Sequence, residues 1–379
     1  MQSKGSIAVA DHTHIEWTDA TWNPITGCSI VSPGCTNCYA MRLAGTRLKH
    51  TPSRAGLTTD SKAGPVWNGQ VRLNEQWLDQ PLRWKSPRKI FVCAHGDLFA
   101  EGVPDEWIDR VFAVMALAPQ HTFQVLTKRA ARMRQYLTKC GAETAVMRTT
   151  RTKLAAVCRG DAGANDTLGR ILAKNGLPDY RWPLPNVWLG GTAEDQRRAD
   201  ERVPELLATP AAIRFVSAEP LLGPIDFRRL RVANTVASAG FPMADALRGS
   251  FYLDPDHQAP FTRKLIEEER TLPRNPNGIG LDWIIAGGES GPGARPMHPD
   301  WVRSIRDQCA GAGTAFFFKQ WGAWAPEEAF ADAAETYKAD LATHRTWRFT
   351  GTPMRRRSKT ITGRLLDGIE HNAMPQVPA

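Results

Sequence analysis

Signals of export or of life in a membrane are missing from this 379-residue chain. No apolar run reaches the roughly 18 residues that a bilayer crossing needs, and with no signal-peptide pattern to mark export a protein that is not exported is expected. Cysteines number only seven, an odd count that argues against a disulfide framework. A cytoplasmic protein without membrane contact is expected. Also missing are a second C-x-x-C and two histidines at zinc-finger spacing, the usual marks of structural zinc, and no H-x-H pair falls on one of the strand-like runs, as a hydrolase metal site would favour. No low-complexity segment or exact internal repeat occurs. What is there is enough apolar material for a large core, 42% hydrophobic against 23% charged residues. A net charge of +9 makes an anionic partner plausible, with nucleic acid first. Among the 13 tryptophans, Trp17, Trp22, Trp67, Trp77, Trp84, Trp182, Trp188, Trp283, Trp321 and Trp324 lie near strand-like runs or polar loops. Such rings could stack on bases or line a pocket, with ordinary core packing as the plain alternative.

Three of the few cysteines stand together. Cys28, Cys35 and Cys38 sit on a Gly/Pro/Ser loop that follows a short apolar run. Thiolates so close in sequence suit a soft metal or an iron–sulfur cluster. An ordinary four-iron cluster takes about four cysteines, so three leave one iron open to a non-protein ligand. The alternatives are zinc on Cys35 and Cys38 with Cys28 and a histidine such as His12, His14 or His50, or thiols that bind nothing. Cys93, Cys140, Cys158 and Cys309 are isolated, and a lone cysteine is commonly a small buried hydrophobe.

The rest of the chain repeats one pattern, a short apolar run closed by a polar signature and followed by a helical stretch. The runs are 22–27, 89–93, 122–126, 186–191, 213–216, 281–286 and 314–318. Continuous apolar runs of this length are expected of strands buried on both faces. Helices are expected over 105–118, 128–137, 194–208 and 299–311, the first opened by Pro104 and closed by Pro119. Alternating strands and helices imply parallel βαβ units. The fold class is therefore α/β, a full or partial (β/α) barrel of about six to seven parallel strands, with a doubly wound sheet as runner-up. The expected domains are a barrel over 1–325 and a C-terminal extension over 326–379. Two basic insertions interrupt the barrel. The first, 138–184, carries Arg148, Arg151, Lys153, Arg159 and Arg170. The second, 228–280, carries Arg228, Arg229, Arg231 and a Pro/Asn-rich turn at 272–278. The extension holds the basic run Arg355-Arg356-Arg357-Ser358-Lys359, which could touch phosphates or simply face solvent.

In a barrel, the strands' C-terminal ends share one face. Cys28, Asp97, Lys128, Thr192, Glu194, Glu219, Glu289 and Lys319 would then converge, although a charge after a strand is often only a helix cap.

Trp17 to Pro24, Gly27-Cys28, Cys35-Thr36-Asn37-Cys38-Tyr39-Ala40, Asp97-Leu98-Phe99, Leu126-Thr127-Lys128-Arg129, Pro183 to Gly190, Ser217-Ala218-Glu219-Pro220-Leu221-Leu222-Gly223, Gly287-Gly288-Glu289-Ser290-Gly291 and Phe318-Lys319-Gln320-Trp321-Gly322 form a characteristic set. With these motifs the chain resembles phage-associated three-cysteine-motif proteins related to the radical S-adenosylmethionine superfamily. The resemblance implies a 4Fe–4S cluster on Cys28, Cys35 and Cys38, whose open iron is chelated by S-adenosylmethionine. Reductive cleavage of the sulfonium would yield a 5′-deoxyadenosyl radical that abstracts hydrogen from a substrate, with the protein supplying position and exclusion of water. The superfamily's common spacing is C-x3-C-x2-C, whereas six residues separate Cys28 from Cys35 here. Asn37 stands where an aromatic usually precedes the last cysteine, and Tyr39 follows it. The Gly287-Gly288-Glu289 triplet is similar to the superfamily's methionine-binding GGE but follows the sixth strand. The methionine amino group is therefore assigned to Asp97, the cofactor side also to Tyr39 and Lys128, and its ribose or adenine to Thr192 and Glu194. Glu219, Glu289 and Lys319 would act on the substrate, a nucleic acid or phosphorylated molecule. An electron donor is implied and a partner protein is possible. Two other classes remain open. One is a zinc- or cluster-stabilised phage protein that binds nucleic acid without catalysis. The other is a metal-dependent hydrolase using Asp97, Glu219, Glu289 and His95 or His298.

Overall fold

The structure is a computed structural model that describes residues 13, 15–139, 182–232, 242–253, 280–330, 346–349 and 351–376. His12, His14, Cys140, Cys158, Arg148, Arg151, Lys153, Arg159, Arg170 and the turn at 272–278 lie outside these residues.

Seven strands form the main sheet: β1 (Ala20–Trp22), β2 (Lys89–Val92), β3 (Thr122–Thr127), β4 (Val187–Thr192), β5 (Ile213–Ala218), β6 (Trp283–Gly287) and β7 (Ala315–Gln320). They are parallel, and their order in the sheet follows their order in the chain without a reversal. A doubly wound sheet would reverse its order at a switch point, so the topology is that of a partial (β/α) barrel. Every residue of β4, β5 and β6 is buried, as expected of strands covered on both faces. The first expected strand, 22–27, is displaced toward the N-terminus. Pro24 has no N–H to give to a ladder, so β1 stops at Trp22 and Ile25–Thr26 pairs separately with Arg72–Leu73.

The helices are α1 (Tyr39–Gly45), α2 (Asp105–Ala116), α3 (Ala130–Thr138), α4 (Gln196–Leu207) and α5 (Pro299–Ala312). The last four lie within two residues of their expected bounds because their caps are written locally. Asp195 caps α4 by accepting from Arg198 N, and α5 is closed by Gly313 in the left-handed region, φ 74°.

The chain divides into two compact units, one made of residues 1–31, 38–190 and 209–212, the other of 32–37, 191–208 and 213–379. In the second unit, Leu230–Arg231, Pro242–Asp245 and Ser250–Leu253 form an antiparallel sheet inside the second insertion. Further on, Trp324–Pro326, Thr352–Arg356 and Thr346–Phe349 form another, with Thr352–Arg356 in the middle. The basic run thus begins inside a sheet, where Arg355 pairs with Glu327 at 2.6 Å and Arg356 donates to the Gly291 carbonyl. Trp17, Trp22, Trp67, Trp84, Trp188, Trp283, Trp321 and Trp324 pack in the core, and Trp77 and Trp182 are half-buried. Among the described residues no helix is long and apolar enough to cross a membrane.

Candidate functional site

In the first unit the C-terminal ends of β2 and β3 bring together Asp97, Thr127 and Arg129 near Cys28. Asp97 is buried and accepts four hydrogen bonds: Thr127 Oγ1 at 2.7 Å, Phe99 N at 3.0 Å, Lys128 N at 3.1 Å and Arg129 Nη1 at 3.3 Å. That number fills the acceptor capacity of a carboxylate. Thr127 Oγ1 in turn accepts from Arg129 N at 2.9 Å. The Arg129 guanidinium, 7% exposed, donates from Nη1 to Cys28 Sγ at 3.3 Å, from Nε to Glu101 at 3.1 Å and from Nη2 to the Ser29 carbonyl at 3.0 Å. Burial opposes its charge, but Asp97, Glu101 and Cys28 outweigh that and hold Arg129 firmly cationic. Desolvation raises Glu101 as well, yet Arg129 and Ser29 bring it down to about 2. The neighbouring Cys93 is the reverse case, a thiol pushed by burial up to about 12.

Cys28 and Cys38 both pack against the apolar cluster of Ala40, Met41, Ala44, Leu57 and Trp67. Cys38 occupies the N-cap position of α1, so Tyr39 is that helix's first residue. The Tyr39 hydroxyl donates to the Ala94 carbonyl at 2.5 Å, and its ring meets His95 edge-on.

In the second unit, residues 32–37, which carry the buried Cys35, are held by two carboxylates from distant strand ends. Glu194, fully buried after β4, accepts from Gly34 N at 3.3 Å and from Arg202 Nη1 at 3.0 Å. The same Arg202 nitrogen donates to the Thr192 carbonyl at 2.8 Å, so Thr192 and Glu194 share one buried arginine. A Cβ on Gly34 would stand 3.1 Å from the Glu194 carboxyl carbon, closer than ordinary packing allows. Glu289, after β6, accepts from Asn37 Nδ2 at 2.9 Å, and Arg295 clasps it from its backbone N–H, Nε and Nη2. Arg295 Nη2 reaches on to the Pro33 carbonyl at 3.0 Å. Glu219 is paired with Lys319, whose ammonium lies 2.8 and 2.9 Å from its two oxygens. Gln320 joins that pair at 3.2 Å and donates to Ser290 at 3.0 Å.

The residues expected at strand ends therefore fall into separate constellations. Asp97 meets Cys28 through Arg129, and Lys128 contributes only its backbone N–H to this group. Glu194 and Glu289 grip the cysteine loop, and Glu219 meets Lys319. Arg129, Asn37, Arg202 and Arg295 are the residues that sequence reasoning missed. Arg129 had a signal, since it lies two residues past a strand-end threonine, whose Oγ1 accepts from the Arg129 N–H while both side chains serve Asp97. Arg202, Arg295 and Asn37 had none, because their partners are remote in the chain or chosen by packing.

Cys28, Cys35 and Cys38 form no disulfide, and cysteine sulfur is the donor type that a soft metal or iron–sulfur cluster takes. In kind they fit such a group, and the guanidinium beside Cys28 favours its thiolate. Among the described residues, however, no three His, Cys, Asp or Glu side chains gather closely enough to hold a metal ion. Of the histidines considered for a hydrolase site, His298 caps α5 and packs with Trp301 and Phe349, while His95 accepts from Arg54.

Neither the curated proteins nor the solved structures hold a match to this sequence. One family model spans residues 12–375, nearly the whole chain. The chain belongs to that family, described as a protein of unknown function (DUF5131).

Proposed function

We propose that the protein is a radical S-adenosylmethionine-type enzyme of the phage-associated three-cysteine-motif kind, acting on an anionic substrate such as a nucleic acid or nucleotide. The observation that carries this reading is the set of three cysteines outside any disulfide on residues 28–38, each fixed by the fold in its own way. A 4Fe–4S cluster on Cys28, Cys35 and Cys38 would supply an open iron for S-adenosylmethionine and the electron for reductive cleavage of its sulfonium. The protein's own part is to position and to exclude water. Arg129 holds Cys28 with a charged donor, and Asp97 orients Arg129. Glu194 and Glu289 fix the segment that carries Cys35 through Gly34 and Asn37. Tyr39, half exposed, offers a ring directly after Cys38. The Lys319–Glu219 pair places an ammonium, 16% exposed at its side chain, where it would orient an anionic substrate or return a proton to it.

A second reading is a zinc- or cluster-stabilised protein that binds nucleic acid without catalysis. It is favoured by the engagement of Asp97, Glu194, Glu219 and Glu289 with internal partners. The two readings separate on incubating anaerobically reconstituted protein with S-adenosylmethionine and dithionite. The enzyme reading predicts 5′-deoxyadenosine, lost in Cys28→Ala, Cys35→Ala and Cys38→Ala. No 5′-deoxyadenosine from iron-loaded protein, with or without nucleic acid present, would favour the second.

A further inference from the structure

Four arginines are buried among the described residues: Arg54, Arg129, Arg202 and Arg214. Three of them face an acid. Arg129 has Asp97 at 3.3 Å, Arg202 has Glu194 at 3.0 Å, and Arg214 is influenced by Asp282. Arg54, 5% exposed, has no carboxylate within ion-pair distance among the described residues. Its Nε donates to His95 Nδ1 at 3.4 Å and its Nη1 to the Ser53 carbonyl at 3.5 Å, both at the long limit for a hydrogen bond. The guanidinium carbon also lies 5.7 Å from the centre of the Trp77 ring. Next to it in the chain, the Ser53 hydroxyl is buried and has no partner among the described residues.

A guanidinium presents five donors in a fixed fork, and two long bonds use few of them. Taking such a charge out of water without a counter-charge is costly. The cost shows in both basic groups. Burial lowers Arg54 to about 10 against the opposing influence of Tyr39, and burial followed by Arg54 lowers His95 to about 4.

We propose that Arg54, with His95, Tyr39 and Trp77 around it, is the anchor of a binding site for a small oxyanion group, a phosphate or a carboxylate borne by a ligand. Such a group supplies the missing negative charge and matches the fork in a bidentate fashion. The Trp77 ring flanks the guanidinium. The site does not depend on a cluster at the cysteines, so it stands or falls separately from that reading.

The test is thermal unfolding of the full chain in phosphate-free buffer, titrated with sodium phosphate, sodium acetate or sodium chloride at matched ionic strength. The wild-type melting temperature should rise and saturate with phosphate, with acetate or with both, but not with chloride. A response to phosphate alone assigns a phosphate-bearing ligand, and one to acetate as well assigns a carboxylate. Arg54→Met should lose the response while melting no lower than wild type in the absence of oxyanion, because it removes an uncompensated buried charge. Arg47→Gln, at an exposed arginine of the same segment, should keep the response. No saturable response in the wild type, or an equal response in Arg54→Met, overturns the proposal. A drop in the Arg54→Met melting temperature that is the same with and without oxyanion also overturns it, since the arginine would then be purely structural.

Discussion

Arg129 joins more of the candidate chemistry than any other side chain. It is buried, and it ties Cys28, Ser29, Asp97 and Glu101 to the end of β3. Removing one member of a buried charge pair leaves the other without compensation, at about 3–5 kcal/mol. Arg129→Gln is therefore expected to lower the unfolding free energy by about 3 kcal/mol, since Asp97 retains three neutral donors. Arg129→Lys should fall between the two, keeping the charge without the fork. Denaturant melts check both, and a wild-type midpoint for Arg129→Gln would contradict the pairing. The sequence points to this place through Lys128, which gives Asp97 its backbone N–H. Lys128 is the charge that first follows the apolar run, whereas Thr127 and Arg129, joined by the Arg129 N–H to Thr127 Oγ1 bond, both turn their side chains to Asp97. Asp97 itself is legible, because a carboxylate after a short buried strand has few places to go but the strand-end face.

At the scale of elements, the segment 32–37 and the turn after β6 depend on one another within the second unit. Glu289 serves this arrangement by holding Asn37 and Arg295, and the two glycines before it serve packing. A Cβ on Gly288 would collide with the Trp321 carbonyl, and Gly288 N donates to the Gln320 carbonyl at 2.9 Å. The triplet that resembles a methionine-binding motif thus has a local reason for its glycines, the close approach of the turns after β6 and β7. Gly288→Ala is expected to destabilise the protein by about 3 kcal/mol, the upper range for overpacking against rigid atoms. A melting curve within experimental error of wild type would contradict the close approach. Strand runs and helix caps were legible because each is written within a dozen residues. The Glu194–Gly34 and Glu289–Asn37 contacts were not, since they join positions 160 and 252 residues apart. Composition carries no record of such distances.

Across the whole molecule, the seven parallel strands in unbroken order make the fold class the most legible property of the sequence. Runs apolar on both faces leave few other architectures. The tryptophans were less telling, because eight of the ten singled out serve the core rather than a surface for bases. The net charge of +9 remains the whole-molecule argument for an anionic partner, and the uncompensated Arg54 gives that argument a position. The central claim is that the three cysteines hold an open cluster. Iron and acid-labile sulfide analysis of anaerobically purified protein, with EPR of the reduced form before and after adding S-adenosylmethionine, tests it most directly. The account predicts about four irons per chain and a signal that changes with the cofactor. Zinc in place of iron, no metal at all, or a cluster signal indifferent to S-adenosylmethionine would contradict it.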